Sequence, residues 1–547
     1  MFLVIRARLF FRLNLINFRM NMRLKQVKQI DLLVCIGFTI LVFLLRLPAF
    51  FEFGINNNGD EGLYFLIARD FLAGKLPYTE IWDNKPIGIY LIYCLGIILF
   101  GNSVFSTAIM ACLAVALTCF LLYKFGTLLG NGQRQLGLIA GLLYATFSTG
   151  NDELAANTEI FFAVFTTFSF YQLFQINTEG SVRRNFLRLF TIGLAMGIAL
   201  SIKQVVIFEF IAIVILTAIA LRFLPPKTKK YRFKHLWRSY VFLLSGFILP
   251  TILIAVYFWI NGHFNDYVSA NFTANLLRVT GERVTLASLA SGLTIQIKRN
   301  LFLLLGLFAT PLYMRTIGRN NLGENKKLVY ILVWIFAAIL GVSSPKSFYA
   351  NYFIQVLPSL ALLNAYLINN IVLKINKFTN FKNILLLTFI LVTPIFNNLY
   401  PQIQLSGKYI YFRGIKGIED WGNTPSAIAR YLNQRVSSTD YIYVFNYHAV
   451  IYCLVPAQVP TRYAFPLFIT TKLAKITGQD PARELDTIMA KKPLYAIVSS
   501  DRTENKNILD RMKNYLRQNY KLEKTFVDLE REIPGRERLQ IQLYRRV

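Results

Sequence analysis

The sequence predicts an all-α polytopic membrane domain of about eleven spanning helices, followed by a small C-terminal extracytoplasmic α/β domain. Three observations predict it. The chain of 547 residues is 55% hydrophobic and only 16% charged, whereas a soluble globular chain carries about a quarter charged residues. Its apolar residues are grouped into runs such as LLVCIGFTILVFLL (32–45), IAIVILTAIALRFL (211–224) and ILLLTFILVTPIF (384–396), which approach the roughly 20 residues needed to cross a bilayer core. Beyond residue 400 the pattern changes to short β-branched and aromatic runs between polar helical stretches.

The net charge of +30 does not point to nucleic acid, because the cations sit in short loops rather than on one face of a soluble module. Lys and Arg near helix ends mark the cytoplasmic side. Cys35, Cys94, Cys112 and Cys119 fall in apolar stretches and Cys453 stands alone in the polar region, so no disulfide framework or zinc spacing follows. His235, His263 and His448 are scattered, which disfavours a His-built metal site. The first 30 residues interrupt every apolar stretch with Arg or Lys. A cleavable signal is therefore not expected and the first helix stays attached; Met20 and Met22 are alternative starts.

Arg6, Arg8, Arg12, Arg19, Arg23, Lys25 and Lys28 place the N-terminus (1–30) in the cytoplasm and residues 52–103 outside, as a first outer loop. The segment 86–100, PIGIYLIYCLGIILF, is short, starts at Pro86 and carries Gly88 and Gly96. Charge parity decides its fate. Only if it does not cross do Arg134, Arg183, Arg184 and the dense basic loop PPKTKKYRFKHLWR (225–238) all fall inside. It is therefore read as juxtamembrane or re-entrant. Spans follow near 104–123, 135–150, 159–175, 187–202, 205–224, 239–260, 297–314, 328–343, 352–373 and 381–399, and the transmembrane domain (31–400) ends outside. The region 403–547, with strand-like YIYVF (441–445) and LYAIVSS (494–500) and helical runs near 425–435, 482–491 and 503–518, is a small α/β domain outside the membrane. It has no glycine-rich phosphate loop, so it reads as a packing or acceptor-docking module.

Chemistry is then expected in the outer loops. The first reads NNNGDEGLYFLIARDFLAGKLPYTEIWDNKPIGIY (56–90). Asp60 and Glu61 open an amphipathic helical stretch and Lys85 follows near its end. A carboxylate can take a hydroxyl proton and a cation can stabilise a departing phosphate; Asp60 and Lys85 supply one of each.

The stretch GDEGLYFLIARDFLAGKLPYTEIWDNKPIGIYLIY resembles the first loop of the C-type (GT-C) membrane glycosyltransferases, within the group of protein O-mannosyltransferases and lipid A aminoarabinose transferases. The resemblance spans about 30–400 and is strongest in 56–130. It implies transfer of a sugar from a polyprenyl-phosphate-linked donor to a hydroxyl of a lipid, glycan or protein at the outer face of the plasma (inner) membrane. It further implies that Asp60 is the general base, that Lys85 contacts the donor phosphate, and that Glu61 has a structural role. It implies no nucleotide and no required cofactor, although the adjacent acids permit a divalent cation.

The second outer loop, TGNDELAANTEIFF (149–162), offers Glu153 and Glu159 for the second active-site carboxylate that the resemblance implies. Helix capping by Asn157 or Thr158, with Glu159 on the helix dipole, is the alternative reading. Lys203, with Gln204 between two apolar runs, either snorkels to headgroups or, as the resemblance implies, faces a phosphate. In SSPKSFYANYFIQVLPSLALL (343–363) Asn351 stands where the family often has His, which weakens acid-base chemistry there. Lys346, Tyr349 and Tyr352 remain candidates to bind phosphate or sugar. Arg278, Arg283, Lys298 and Arg299 are read as headgroup contacts. Two rival functions stay open: a polysaccharide polymerase or ligase acting on lipid-linked oligosaccharide, and a transporter or receptor. Transporters more often show internal repeats and broken helices near the midplane, and no convincing repeat is found.

Overall fold

A computed structural model of the chain describes residues 28–51, 59–150, 154–176, 182–222, 229–281, 286–317, 322–375, 381–419, 421–499, 504–527 and 539–547. Met20, Met22, most of the basic N-terminus and Glu153 lie outside the described residues.

The long apolar runs become helices because a backbone in lipid has to satisfy its own N–H and C=O groups. In chain order these are α1 (Lys28–Leu45), α2 (Asp60–Leu72), α3 (Gly88–Phe100), α4 (Phe105–Leu129), α5 (Arg134–Thr149), α6 (Thr158–Phe174), α7 (Val182–Ile202) and α8 (Ile207–Arg222). They continue as α9 (Lys229–Ile260), α10 (Phe264–Val268), α11 (Ala274–Gly281), α12 (Leu286–Ile317), α13 (Leu322–Ser343), α14 (Leu357–Ile375) and α15 (Phe381–Tyr409). A helix occupies each of the eleven expected spans. Among the described residues, seven helices are long and apolar enough to cross a membrane, and the chain is a multi-pass membrane protein. At 1.5 Å per residue, the 13-residue α3 reaches only about 20 Å, short of the roughly 30 Å hydrocarbon core.

After α15 the chain makes one further helical turn (Ile410–Ile415) and enters a mixed region that starts with the helix Thr424–Asn433. Four strands, β1 (Ile442–Phe445), β2 (Tyr495–Ser499), β3 (Tyr520–Val527) and β4 (Gln540–Arg546), form one sheet in the order β1-β2-β4-β3. The pair β1–β2 is parallel and the other two pairs are antiparallel. β1 and β2 are buried along their whole length, which is why their sequences are continuous apolar runs.

One buried apolar cluster runs without a break from the helical bundle, through Leu63, Tyr90 and Ile160, into the sheet at Phe445 and Ile497. The C-terminal region is therefore packed onto the bundle. The contact is close at α2: a methyl group on Gly62 would lie 2.7 Å from the backbone nitrogen of Val450, so only glycine fits there. The side chain of Arg69 reaches across to the carbonyl of Tyr452 at 3.2 Å. From the 73–87 connection, Trp82 donates its backbone N–H to the Arg462 carbonyl at 2.8 Å and sets its ring edge-on to Phe468 at 4.9 Å.

Candidate active site

Asp60 is the first residue of α2, preceded by Gly59 with φ +66°. That left-handed turn is one glycine adopts at no steric cost, and it sets the Asp60 carboxylate at a helix N-terminus, where a negative charge is favoured. The Tyr64 hydroxyl, one turn on, donates to Asp60 Oδ2 at 3.2 Å. Lys85 Nζ lies 3.5 Å from the same oxygen and 5.6 Å from the centre of the Tyr64 ring. Twenty-five positions apart, the two candidates from the first loop form one ion pair.

The loop that carries Lys85 is fastened from below. The Tyr78 hydroxyl donates to the Lys85 carbonyl at 2.8 Å, and Tyr90 donates to Asp83 Oδ2 at 2.8 Å. Asn84 Nδ2 donates to Asn275 Oδ1 of α11 at 2.9 Å, and Asn275 Nδ2 donates to the Asn84 backbone carbonyl at 2.8 Å. Asp83 is 2% exposed, and burial raises its pKa against the pull of Lys85. For Lys85 burial acts to lower the pKa, but Asp60 and Asp83 outweigh it and hold it above the ordinary value. The ammonium therefore stays charged.

Glu159 and Lys203 resolve each other. Each is costly to bury alone, and they form a buried ion pair through Glu159 Oε1. Glu159 Oε2 accepts from Thr158 Oγ1 at 2.9 Å and from Asn351 Nδ2 at 3.4 Å. Asn157 occupies the N-cap position of α6, but its side chain makes no cap hydrogen bond. Lys203 Nζ also sits 3.9 Å over the Tyr352 ring, and Gln204 holds this turn to the Asn271 carbonyl at 3.1 Å. Glu159 thus stands behind Lys203.

These groups converge on one cleft. Of the residues expected from sequence, Asp60, Lys85, Lys203, Tyr349 and Tyr352 line it; Glu61, Glu159 and Lys346 do not. Glu61 accepts from the Ala156 backbone N–H, beside Arg46, whose guanidinium donates to the carbonyls of Leu154 and Ala155 at 3.1 and 3.4 Å. Both side chains secure the loop in front of Glu159. Sequence reasoning missed Arg278, which lines the cleft and reaches the Tyr352 hydroxyl at 3.5 Å. It also missed the far wall, where Phe465, Leu467, Phe468, Leu473 and Ile476 come from the C-terminal region. Among the described residues no group of three or more His, Cys, Asp or Glu is placed to hold a metal ion.

Burial pushes the Glu61 carboxyl up to about 7. An acid with a raised folded-state pKa is most favourable to stability below its unfolded value near 4.3. Its contribution falls as pH rises from there to about 7 and is level above. Glu61→Gln keeps an acceptor for Ala156 and cannot ionise. It is expected to match wild type in thermal midpoint at pH 4.5 and to exceed it at pH 8, read by thermal unfolding in detergent.

Behind the 350–355 turn, Glu209 of α8 is fully buried and accepts from Trp334 Nε1 at 2.7 Å and Gln355 Nε2 at 2.9 Å. It links the helix that follows Lys203 to the turn that carries Asn351 and Tyr352. Glu209→Ala leaves two buried donors without an acceptor, at about 1–3 kcal/mol each. A clearly lowered thermal midpoint is expected for alanine and a smaller change for Glu209→Gln.

Residues 84–259 match the family model of the dolichyl-phosphate-mannose-protein mannosyltransferases. The match begins one residue before Lys85 and takes in Glu159 and Lys203. Among solved structures, the chain is similar to ArnT from Cupriavidus metallidurans bound to undecaprenyl phosphate, with a TM-score of 0.56 and 16% identity over 94% of this chain and 97% of that one. It is equally similar to the same protein in the apo state, with a TM-score of 0.55 and 15% identity over 94% and 98%. The fold is ArnT-like, and the family-model match falls on its helical part. No curated protein sequence matches the chain significantly. In this ArnT-like fold, the residues quoted from the first loop form one wall of the cleft and the C-terminal region forms the other.

Proposed function

We propose that this GT-C chain transfers a hexosyl or pentosyl group from a polyprenyl-phosphate donor to a hydroxyl of a lipid, glycan or protein at the outer face of the plasma membrane. The observation that carries this reading is the Lys85–Asp60 pair at 3.5 Å, in a cleft that Lys203 and Arg278 also line. Cations can stabilise a leaving lipid phosphate, and a carboxylate beside them can take the acceptor proton. The undecaprenyl phosphate bound to the ArnT relative has the chemistry such a cationic cleft would take.

In the reaction, the acceptor oxygen bonds to the anomeric carbon while the bond from that carbon to the phosphate oxygen breaks. The proton passes to Asp60 and the lipid phosphate leaves with the bonding pair. Attack in line with the phosphate inverts the anomeric centre. Lys85 couples the two halves: a donor phosphate competes with Asp60 for the ammonium, so binding the donor releases the base. Glu159 and Tyr352 position Lys203. The apolar wall from 465–476 faces the acceptor side, and a divalent cation is not required by these steps.

The direct test is incubation of purified protein with a panel of polyprenyl-phosphate sugars, with envelope glycolipids and glycans compared by mass spectrometry with and without the gene. Loss of a single sugar identifies both substrates. Release of polyprenyl phosphate from no donor would end the proposal. Lys85→Met is expected to raise the KM for donor at least tenfold while membrane insertion is normal; unchanged donor kinetics would remove the lysine. The same reading places the C-terminus outside the cytoplasm. Alkaline phosphatase fused after Val547 is expected to be active, and a fluorescent-protein fusion active there with no phosphatase signal would reverse the topology.

A further inference from the structure

Tyr64 touches both members of the Asp60–Lys85 pair. On α2 it stands one helical turn after Asp60, where side chains meet on one face. Its hydroxyl donates to Asp60 Oδ2 at 3.2 Å and its ring centre lies 5.6 Å from Lys85 Nζ. Asp60 Oδ2 is also the oxygen that faces Lys85, at 3.5 Å, so the phenol and the ammonium hold the same side of the carboxylate. Tyr64 lines the cleft together with both of them.

The ring is locked by its neighbours. It is buried, and α3 sets Tyr90 and Tyr93 edge-on to it, with ring centres 6.1 and 5.7 Å away, an arrangement that aromatic pairs favour. Both neighbours are tied in turn: Tyr93 donates to the Ala156 carbonyl and Tyr90 to Asp83 Oδ2, each at 2.8 Å. Burial, and after it the charges of Asp60, Asp83 and Glu159, raises the Tyr64 pKa well above the ordinary phenol value. The phenol therefore keeps its proton and stays a donor.

In the transfer reaction proposed above, on which this inference rests, a donor phosphate draws Lys85 away from Asp60. The carboxylate loses the cation that faces it just when it has to be aimed at the acceptor. We infer that Tyr64 is a positioning residue for the base: its hydroxyl holds Oδ2 after Lys85 has turned to the phosphate, and Oδ1 takes the acceptor proton. A phenol on a packed ring suits this task, since it carries one donor and no charge to be drawn after the lysine. Once Oδ1 is protonated, Oδ2 still accepts from Tyr64, so the bond lasts through the step.

The test is a double-mutant cycle on the purified full chain in liposomes, with wild type, Tyr64→Phe, Asp60→Asn and Tyr64→Phe/Asp60→Asn. Single-turnover transfer from a polyprenyl-phosphate sugar that wild type uses gives the rate, and titration with undecaprenyl phosphate gives the affinity of the phosphate site. Phenylalanine keeps the ring against Tyr90, Tyr93 and Lys85 and removes only the donor. Tyr64→Phe is expected to lower the rate about tenfold, the scale of a hydrogen bond to a charged group. Its affinity for undecaprenyl phosphate is expected to stay within about twofold of wild type. In the Asp60→Asn background the same substitution is expected to change the rate by less than about twofold, because the base it positions is already gone. An equal fall in both backgrounds, or an affinity that falls with the rate, would make Tyr64 a packing or phosphate-binding residue and overturn the inference. A Tyr64→Phe rate equal to wild type beside a slow Asp60→Asn would overturn it too, while leaving the transfer reading in place. A wild type that uses no donor would end both. Should Tyr64→Phe elute as aggregate, Tyr64→Leu is put through the same cycle.

Discussion

Asp60→Asn is expected to lower the rate of sugar transfer by roughly 10²–10⁴-fold, the contribution of a positioned general base, with expression near wild type and donor binding at least as tight. Asparagine keeps the size of the side chain and can still accept from Tyr64, which donates to Oδ2 at 3.2 Å. It loses the site for the acceptor proton and the charge that faces Lys85 at 3.5 Å. The lost pair is partly solvated, so its effect on stability is small, and Lys85 is left free for the donor phosphate. The measurement is single-turnover transfer from a purified polyprenyl-phosphate sugar by wild type and variant in matched liposomes. Donor binding is followed separately with a non-hydrolysable donor. Equal rates would return Asp60 to the class of solvated loop acids, and Asp83, the other carboxylate lining the cleft, would be the next candidate base.

The helical part of the fold was legible because lipid imposes a simple rule, a long apolar run with cations at its cytoplasmic end. β1 and β2 were legible for a related reason, since strands buried along their whole length read as unbroken apolar runs. β3 and β4 were missed. β3 reads YKLEKTFV and has only Tyr520 buried, and β4 buries Ile541 and Leu543 between the polar Gln540, Gln542 and Tyr544. Their identity comes from pairing with each other and with β2, which local sequence does not carry. The same division holds at the site. Asp60 and Lys85 share one loop, so their motif is continuous. Arg278 sits on the short α11, where a cation in the last turn has an ordinary explanation, and Phe465 to Ile476 arrive from the far end of the chain. Glu159 and Lys203 were each found but each had a bland reading, as a helix-dipole acid and a snorkelling lysine. Glu159 does lie in the first turn of α6, and only its pairing with Lys203 across 44 positions shows what else the two residues do.

That pairing makes Lys203→Met a variant with two separable effects. Methionine fills most of the aliphatic volume of lysine but leaves Glu159, 1% exposed, without its cation. Breaking a buried pair by removing one partner costs about 3–5 kcal/mol, because the remaining charge stays buried. The thermal midpoint of Lys203→Met in detergent is therefore expected to fall sharply, and activity with it. The double variant Glu159→Gln/Lys203→Met removes the orphaned charge, and glutamine can still accept from Thr158 and Asn351. Its stability is expected to return to near wild type. Activity is not expected to return, since the cation over Tyr352 at 3.9 Å is still missing from the cleft, and the loss should appear mainly in the KM for donor. A double variant that recovers both stability and donor KM would make Lys203 a counter-ion for Glu159 and nothing more. A single variant as stable as wild type would mean that Glu159 is protonated or reached by water, and the buried pair would then carry no weight in positioning the cleft.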